Sequence, residues 1–416
     1  MKNVENKRGV IITACIVIFV FLFTLIAEKV APPSWNMLFM VLKKGSIYVL
    51  IAVSMNLLNG FTGLFSLGQA GFMLLGAYTY GIFTIPVEDR ASVYQYFDGG
   101  LIQFTIPVPL ALILSGLVAA FFAFLIGLPV LRLKSDYLAI ATLGFAEIIR
   151  AIFQWQALGP ITNGSNLLRK FPVFNSTIAY FGVVGICVTI ILLLINSSYG
   201  RAFKAIREDD VAAEAMGINL AKHKMLSFCI SSFFAGIGGA LLAMYQTSVQ
   251  AAIFKSAMTY EILLIVVIGG IGSISGSIIA SFLYIACSEW WLRFLDQETS
   301  LAGPQRSRFI VVMAVIFVIL LVLMIIRIKK PKGKPVALYG AGAAVCGIVL
   351  GWLVYYALTG QTKIPLLRNG FRMVVFSVII MIIVLFFSQG IMGTKELPDL
   401  FKEKKASGDA GKEVAG

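Results

Sequence analysis

Long, uninterrupted apolar runs limit most strongly what this chain can fold into. Runs of about 18 or more apolar residues recur along the 416-residue sequence, and about 20 such residues in a helix cross the hydrocarbon core of a bilayer. Overall, 59% of the residues are hydrophobic and 13% are charged. The runs are continuously apolar, whereas the strands of a membrane barrel alternate. The sequence therefore predicts an all-α, polytopic transmembrane helical bundle.

The hydropathy pattern predicts twelve crossings in one domain over residues 1–393, followed by a polar cytoplasmic tail over residues 394–416. The first run follows three basic residues and precedes no small-residue cleavage site, so we interpret it as a retained span rather than a signal peptide. The predicted spans are residues 10–27, 37–58, 64–85, 105–131, 137–155, 177–195, 226–247, 261–271, 277–294, 308–326, 336–358 and 371–388.

The distribution of charge predicts how the chain is oriented. The net charge of +14 does not indicate a nucleic-acid partner, because the basic residues are dispersed among loops, where membrane topology requires them. Of the 34 Lys and Arg residues, 20 fall on the side where the chain begins. The more positive side faces the cytoplasm, so we expect both termini to be cytoplasmic.

One charged segment, residues 197–224, separates two apolar runs, and we call it the island. Asp209 and Asp210 offer oxygens that cap a helix start, Gly217 suits the left-handed position after a helix end, and Asn219 can cap a further helix. The pattern predicts helix, glycine stop, helix. The apolar residues near one face are Phe203, Ile206, Val211, Ala215 and Ile218. Such a helix is typical of a docking element, and an ordinary loop along the lipid surface is the alternative.

Two segments rich in small residues interrupt the apolar runs: residues 63–77 (GLFSLGQAGFMLLGA) and 269–276 (GGIGSISG). Small residues let helices approach closely in lipid, and broken backbone at membrane depth occurs where it is buried or lines a cavity. Broken helices also present free backbone groups to a polar solute. Close packing accounts for any single glycine, but for the pair of segments we favour a cavity lined by broken or re-entrant helices.

The sequence offers little of the chemistry of an enzyme. It has no G-x-x-x-x-G-K-[ST] phosphate loop and no HExxH motif, its one His lies in the island, and the five Cys are far apart. We therefore expect no catalytic residue, no cofactor and no metal site. Glu147 and Arg150, three residues apart on a predicted helix, form either a structural ion pair or part of a solute path.

Several stretches stand out together: NLLNGFTGLFSLGQAGFMLLGAYTYG, TLGFAEIIRAIF followed by TNGSNLL, SYGRAFKAIREDDVAAEAMGINLAKHKMLSF and EILLIVVIGGIGSISGSIIASFL. In combination they resemble bacterial ABC-transporter permeases, in particular the branched-chain amino acid permeases of the LivM type. The resemblance covers residues 49–295 and 371–393. Two departures are Gln69, where relatives often carry His, and an added pair of spans over residues 306–365.

The resemblance implies a permease subunit of an ATP-driven importer in the bacterial inner membrane, surrounded by lipid. It implies as partners two ATP-binding cassette ATPase subunits, a second permease subunit and an extracytoplasmic solute-binding protein. It also implies that the island is the cytoplasmic coupling element, with the candidate residues Arg207, Asp210, Glu214, Ala215 and Gly217. The candidate translocation path comprises Ser66, Gly68, Gln69, Gly71, Thr142, Glu147, Gly269, Gly270 and Gly272.

Other functions fit the same residues. A permease for urea or another small polar solute would use a similar lining. An ion-gradient-driven transporter is a rival from another class, and the paucity of acidic residues within the spans argues against it. A non-transporting scaffold would not need interrupted helices. We therefore expect import of branched-chain amino acids, energised by separate ATPase subunits.

Overall fold

Helices dominate the part of the chain that the computed structural model describes, namely residues 21–22, 24–28, 35–133, 135–292, 311, 347, 351, 375, 381, 390–393 and 396–397. The chain divides into two units, one formed by Met1–Ile285 with Ile382–Gly416 and the other by Ala286–Met381. In the second unit, Ala286–Trp291 forms a π-helical segment. Most of the predicted first span, the spans beyond residue 293, the added pair and most of the tail lie outside the described residues.

Twelve α-helices of the first unit have both ends within residues 35–292 of the described chain. They are α1 (Asn36–Asn56, continued by a π-helical turn, Leu57–Phe61), α2 (Gln69–Thr84), α3 (Val87–Val93), α4 (Val108–Val130), α5 (Ser135–Gln154), α6 (Gly159–Thr162), α7 (Thr177–Asn196), α8 (Ser198–Glu208), α9 (Asp210–Ala215), α10 (Leu220–Gln246), α11 (Ser256–Gly269) and α12 (Ile274–Ile285). Within the described ranges no β-strand forms, and Leu168 and Val249 make a single antiparallel bridge.

Five of the described helices are long and apolar enough to cross a membrane: α1 with its π-helical turn, α4, α5, α7 and α10. A sixth is added if α2 and α3, which meet at an angle of 120°, form one broken span. The predicted all-α polytopic bundle is therefore confirmed. Helix α10 begins at Leu220, earlier than the predicted residue 226, because the Asn219 side chain caps it by accepting a hydrogen bond from the Lys222 amide at 2.9 Å.

Helix α10 lies at the centre of the described bundle, where it packs against α1, α2 and α4. Its glycines allow close approach on two sides. A Cβ added to Gly236 would lie 2.6 Å from the carbonyl oxygen of Ser115 on α4, and a Cβ on Gly239 would collide with the backbone of Met73 on α2. Because apolar burial gives helices in lipid little reason to associate, such backbone contact supplies the packing energy. Helix α1 packs in turn against α7, α11 and α12.

Candidate coupling element and translocation path

The island folds as its sequence predicts, into a helix, a glycine stop and a second helix start. The Asp209 carboxylate caps α9 by accepting hydrogen bonds from the amides of Val211 and Ala212 at 2.8 and 3.1 Å. Gly217 ends α9 with a φ of +83°. The next amide, that of Ile218, then donates back to the Ala213 carbonyl at 3.1 Å, which is the hydrogen bond of a glycine-terminated helix end.

The apolar residues of the island do not share one face. Phe203 and Ile206 are buried on α8, whereas Val211 is 76% exposed and Met216 is 83% exposed. The reason is the extended backbone of Asp209, with φ −157° and ψ 115°, which breaks the helical phase between α8 and α9. Helix α8 therefore packs against the bundle, and the tip around α9 presents apolar side chains to the surroundings.

The candidate coupling residues of the tip divide into anchored and exposed ones. Asp210 is anchored, because the Lys224 ammonium on α10 lies 2.5 Å from its carboxylate. Glu214 and Ala215 are exposed, and no ion pair or hydrogen bond joins the Glu214 side chain to the described part of the chain. The tip is thus joined to α10 through Asp210, and it exposes the Glu214 carboxylate.

The first interruption lies between the π-helical turn and α2, where residues 62–68 are not helical. The Asn59 side chain hydrogen-bonds both backbone groups of Ser66. Its oxygen accepts from the Ser66 N–H at 3.2 Å, and its nitrogen donates to the Ser66 carbonyl at 3.4 Å. The next amide, that of Leu67, donates to the Thr142 hydroxyl of α5 at 3.0 Å. The π-helical turn before the break and the distant helix α5 therefore satisfy the backbone that the break leaves open.

The start of α2 is fastened in the same way. The Gln69 side chain is buried and donates to the Ser54 hydroxyl of α1 at 2.8 Å. The Ala70 amide donates to the Thr259 hydroxyl of α11 at 3.1 Å. Gly71 packs so closely on α5 that an added Cβ would lie 2.8 Å from the Cα atom of Ala146.

The second interruption separates α11 from α12 and is held by Asn56, which is completely buried. Its side-chain oxygen accepts a hydrogen bond from the Gly272 amide at 2.9 Å. Its nitrogen donates to the carbonyl of Ser273 at 2.9 Å and to the hydroxyl of Ser277 at 2.8 Å. These backbone groups are paired within the protein, so a solute would reach them only after the pairing opens.

The two interruptions meet at Arg207, the next-to-last residue of α8. A Cβ added to Gly63, which has a φ of +76°, would lie 3.3 Å from the Cα and Cγ atoms of Arg207. A Cβ added to Gly272, with a φ of +89°, would lie 2.5 Å from its Nη1 atom. Arg207 is half-buried, and its guanidinium makes no hydrogen bond or ion pair with the described residues. The island thus touches one residue in each interruption through a single side chain.

Glu147 joins two helices rather than facing an open path. One of its oxygens lies 2.6 Å from the Arg150 guanidinium on the same helix. The other accepts a hydrogen bond from the Ser256 amide at 3.2 Å and so caps the start of α11. This geometry favours the structural interpretation of the pair.

Apart from Glu147, the candidate path residues therefore form two groups that α1 and Arg207 connect. The first group surrounds the break before α2, and the second is the glycine-rich break after α11. Sequence reasoning missed the side chains that hold both breaks, and these are Ser54, Asn56, Asn59 and Thr259. For Asn56 and Asn59 the signal was present, since an Asn within an apolar run has to find a polar partner.

Comparison with known proteins gives a consistent family. Residues 37–327 match the family described as "Branched-chain amino acid transport system / permease component". The chain is 32% identical over 291 residues to the high-affinity branched-chain amino acid transport permease proteins LivM of Salmonella typhimurium and Escherichia coli, covering 62% of this chain and 64% of each relative. A probable LivM protein of Methanocaldococcus jannaschii is 25% identical, covering 61% of this chain and 80% of the relative. No solved structure matches the chain.

Proposed function

Because the chain belongs to the family of branched-chain amino acid transport permeases, we propose that it is one of two membrane-spanning subunits of an ATP-driven importer. ATP hydrolysis then takes place on two separate ATPase subunits, and a second permease subunit completes the path. An extracytoplasmic binding protein delivers the solute. The matched region spans about 64% of the length of the LivM relatives, so these partners are part of the proposal, as are the inner-membrane location and the cytoplasmic termini.

The contact of Arg207 with both interruptions is the observation that carries the proposal. A coupling element has to bind the ATPase at an exposed surface and transmit the movement of the ATPase to the solute path. The island offers both features, with the exposed side chains of Val211, Glu214 and Met216 at its tip and Arg207 against Gly63 and Gly272 at its base. The ion pair between Lys224 and Asp210 joins the tip to the start of α10, and the single residue Asp209 joins α9 to α8, so that tip and base move together.

The proposed transport step follows from this arrangement. An ATPase docks on the apolar and acidic tip, and closure of the ATPase pair displaces α8 and α9 as one body. Arg207 then shifts against both glycine sites at once, because no side chain lies between it and either backbone. The paired backbone groups of the two interruptions open toward the cytoplasm and release the solute.

The solute is proposed from the relatives, whose names state branched-chain amino acid transport. The test is uptake of labelled leucine into vesicles that contain the chain together with the proteins that co-purify with it. We expect uptake to require ATP on the side of the membrane where the ATPase subunits lie and to continue when an ionophore is added. We also expect isoleucine and valine, but not urea, to inhibit it. Uptake that continues without ATP and stops with the ionophore would replace the proposal with gradient-driven transport. Absence of leucine uptake together with ATP-dependent uptake of labelled urea would keep the mechanism and change the solute.

A further inference from the structure

The second interruption is bridged by residues from the far end of the chain. Residues 390–393, Glu396 and Leu397 contact both sides of the break between α11 and α12, and we call this segment the C-terminal clasp. The sequence alone assigns Glu396 and Leu397 to the tail. All of these residues belong to the first unit.

On the α11 side, the clasp supplies hydrogen-bond donors. The Ile391 amide donates to the Ile268 carbonyl at 2.7 Å, and the Met392 amide donates to the Gly269 carbonyl at 3.2 Å. The last carbonyls of a helix have no partner within the helix. The clasp therefore completes the end of α11 with its own backbone.

On the α12 side, the clasp supplies an acceptor. The two oxygens of Glu396 accept hydrogen bonds from the amides of Ile274 and Ser275 at 2.8 and 2.9 Å. The Ser275 hydroxyl donates to the same carboxylate at 2.5 Å and accepts from the Leu397 amide at 2.9 Å. A carboxylate at this place satisfies the free amides and suits the positive end of the helix dipole.

Glycines bring the clasp into direct backbone contact with the break. A Cβ added to Gly390, which has a φ of +70°, would lie 2.6 Å from the Gly270 nitrogen. Conversely, a Cβ on Gly270 would lie 3.0 Å from the nitrogen of Gly393. There is no room for a side chain between the two segments, so the clasp fills the space that the interruption creates.

We propose that the C-terminal clasp holds the α11–α12 interruption closed, with Glu396 as the positioning residue, and that it separates from α12 each time the path opens. Three segments then meet at this break: Asn56 from α1, Arg207 from the island and the clasp. Arg207 lies beside Gly272, two residues before the amides that Glu396 caps. A shift of the island therefore acts on the same short stretch that the clasp restrains. The opening step rests on the proposed transport function, whereas the capping does not.

Amide hydrogen exchange tests the capping part without any transport assay. Glu396→Ala should speed exchange of the Ile274 and Ser275 amides by roughly 2- to 30-fold, the range expected for a lost helix cap, and Glu396→Gln should have a smaller effect. Glu147→Ala is the matched control, because Glu147 caps α11 at Ser256 instead and should leave the amides of α12 unchanged. Unaltered exchange at residues 274–275 in Glu396→Ala would overturn the clasp.

A reversible cross-link tests the separation. The 2.9 Å contact of the Leu397 amide with the Ser275 hydroxyl makes Ser275→Cys with Leu397→Cys a suitable pair, in a chain whose five native cysteines are replaced. In the full complex, we expect the oxidised pair to lose solute uptake, a reductant to restore it, and each single variant to transport in both conditions. A cross-linked complex that transports as fast as the same complex after treatment with reductant would refute the separation. If the transport function itself is wrong, the complex without substitutions shows no uptake, while the exchange result stands.

Discussion

The side-chain oxygen of Asn56 accepts a hydrogen bond from the Gly272 amide at 2.9 Å, although the two residues lie 216 positions apart in the chain. This pairing ties the end of α1 to the break between α11 and α12. A buried amide side chain that satisfies one donor and two acceptors costs little to bury, whereas its loss leaves the Gly272 amide without a partner. The relationship makes Asn56 the main structural support of the second interruption.

Replacing Asn56 should therefore destabilise the folded protein. Asn56→Ala leaves the Gly272 amide unpaired, and a buried unpaired group costs about 1–3 kcal/mol, whereas the Ser273 carbonyl still accepts from the Ser277 hydroxyl at 3.0 Å. Thermal unfolding in detergent, compared between variants, measures the change. Asn196→Ala is the control, because Asn196 is exposed and bonds only within its own helix. An equal shift for the two variants would show that Asn56 does not support the break.

Two glycine substitutions should change the stability of the folded protein in opposite directions. Neither Gly217 nor Gly182 has a neighbouring atom within 4 Å of an added Cβ, so only the backbone decides the outcome. Gly217→Ala forces an L-residue to a φ of +83° and should cost about 1 kcal/mol. Gly182→Ala lies inside α7 and should stabilise the helix by about 0.5–1 kcal/mol. Protease sensitivity of the island and thermal unfolding report the two effects, and Gly217→Asn should be milder than Gly217→Ala.

Substitutions of Glu147 distinguish a structural role in the pair with Arg150 from a role in the solute path. We expect a double-mutant cycle between Glu147→Ala and Arg150→Ala to give a coupling of about 0.5–1 kcal/mol, because the pair is partly exposed and modest in strength. We also expect Glu147→Gln to transport with an unchanged KM, since an amide oxygen can still cap the Ser256 amide. A large rise in KM with normal stability would instead place Glu147 in the path.

The helices and the island were predictable because their signals are local. Apolar run lengths set the spans of α1, α4, α5 and α7 to within a few residues, and Asp209, Gly217 and Asn219 act as caps through bonds to near neighbours. The resemblance gave the family, which the comparisons bear out. Glycine-rich composition also indicated both interruptions.

What closes the interruptions was not predictable, because the contacts join distant parts of the chain. Nothing local pairs Asn56 with Gly272, Leu67 with Thr142, or Glu396 with Ser275. The single apolar face expected for the island was wrong for a different reason. Helical spacing assumes a continuous helix, and the extended Asp209 interrupts it.

Arg207 provides the most direct test of the account, because it alone carries the proposed contact between the island and both interruptions. The measurement compares Arg207→Ala with Arg201→Ala, an exposed arginine on the same helix, for ATPase association and for ATP-dependent uptake. We expect both variants to retain the ATPase subunits, and only Arg207→Ala to lose at least about tenfold in uptake, corresponding to about 1.4 kcal/mol of lost coupling. Normal uptake by Arg207→Ala would contradict the account, and loss of ATPase association would place Arg207 at the docking surface instead.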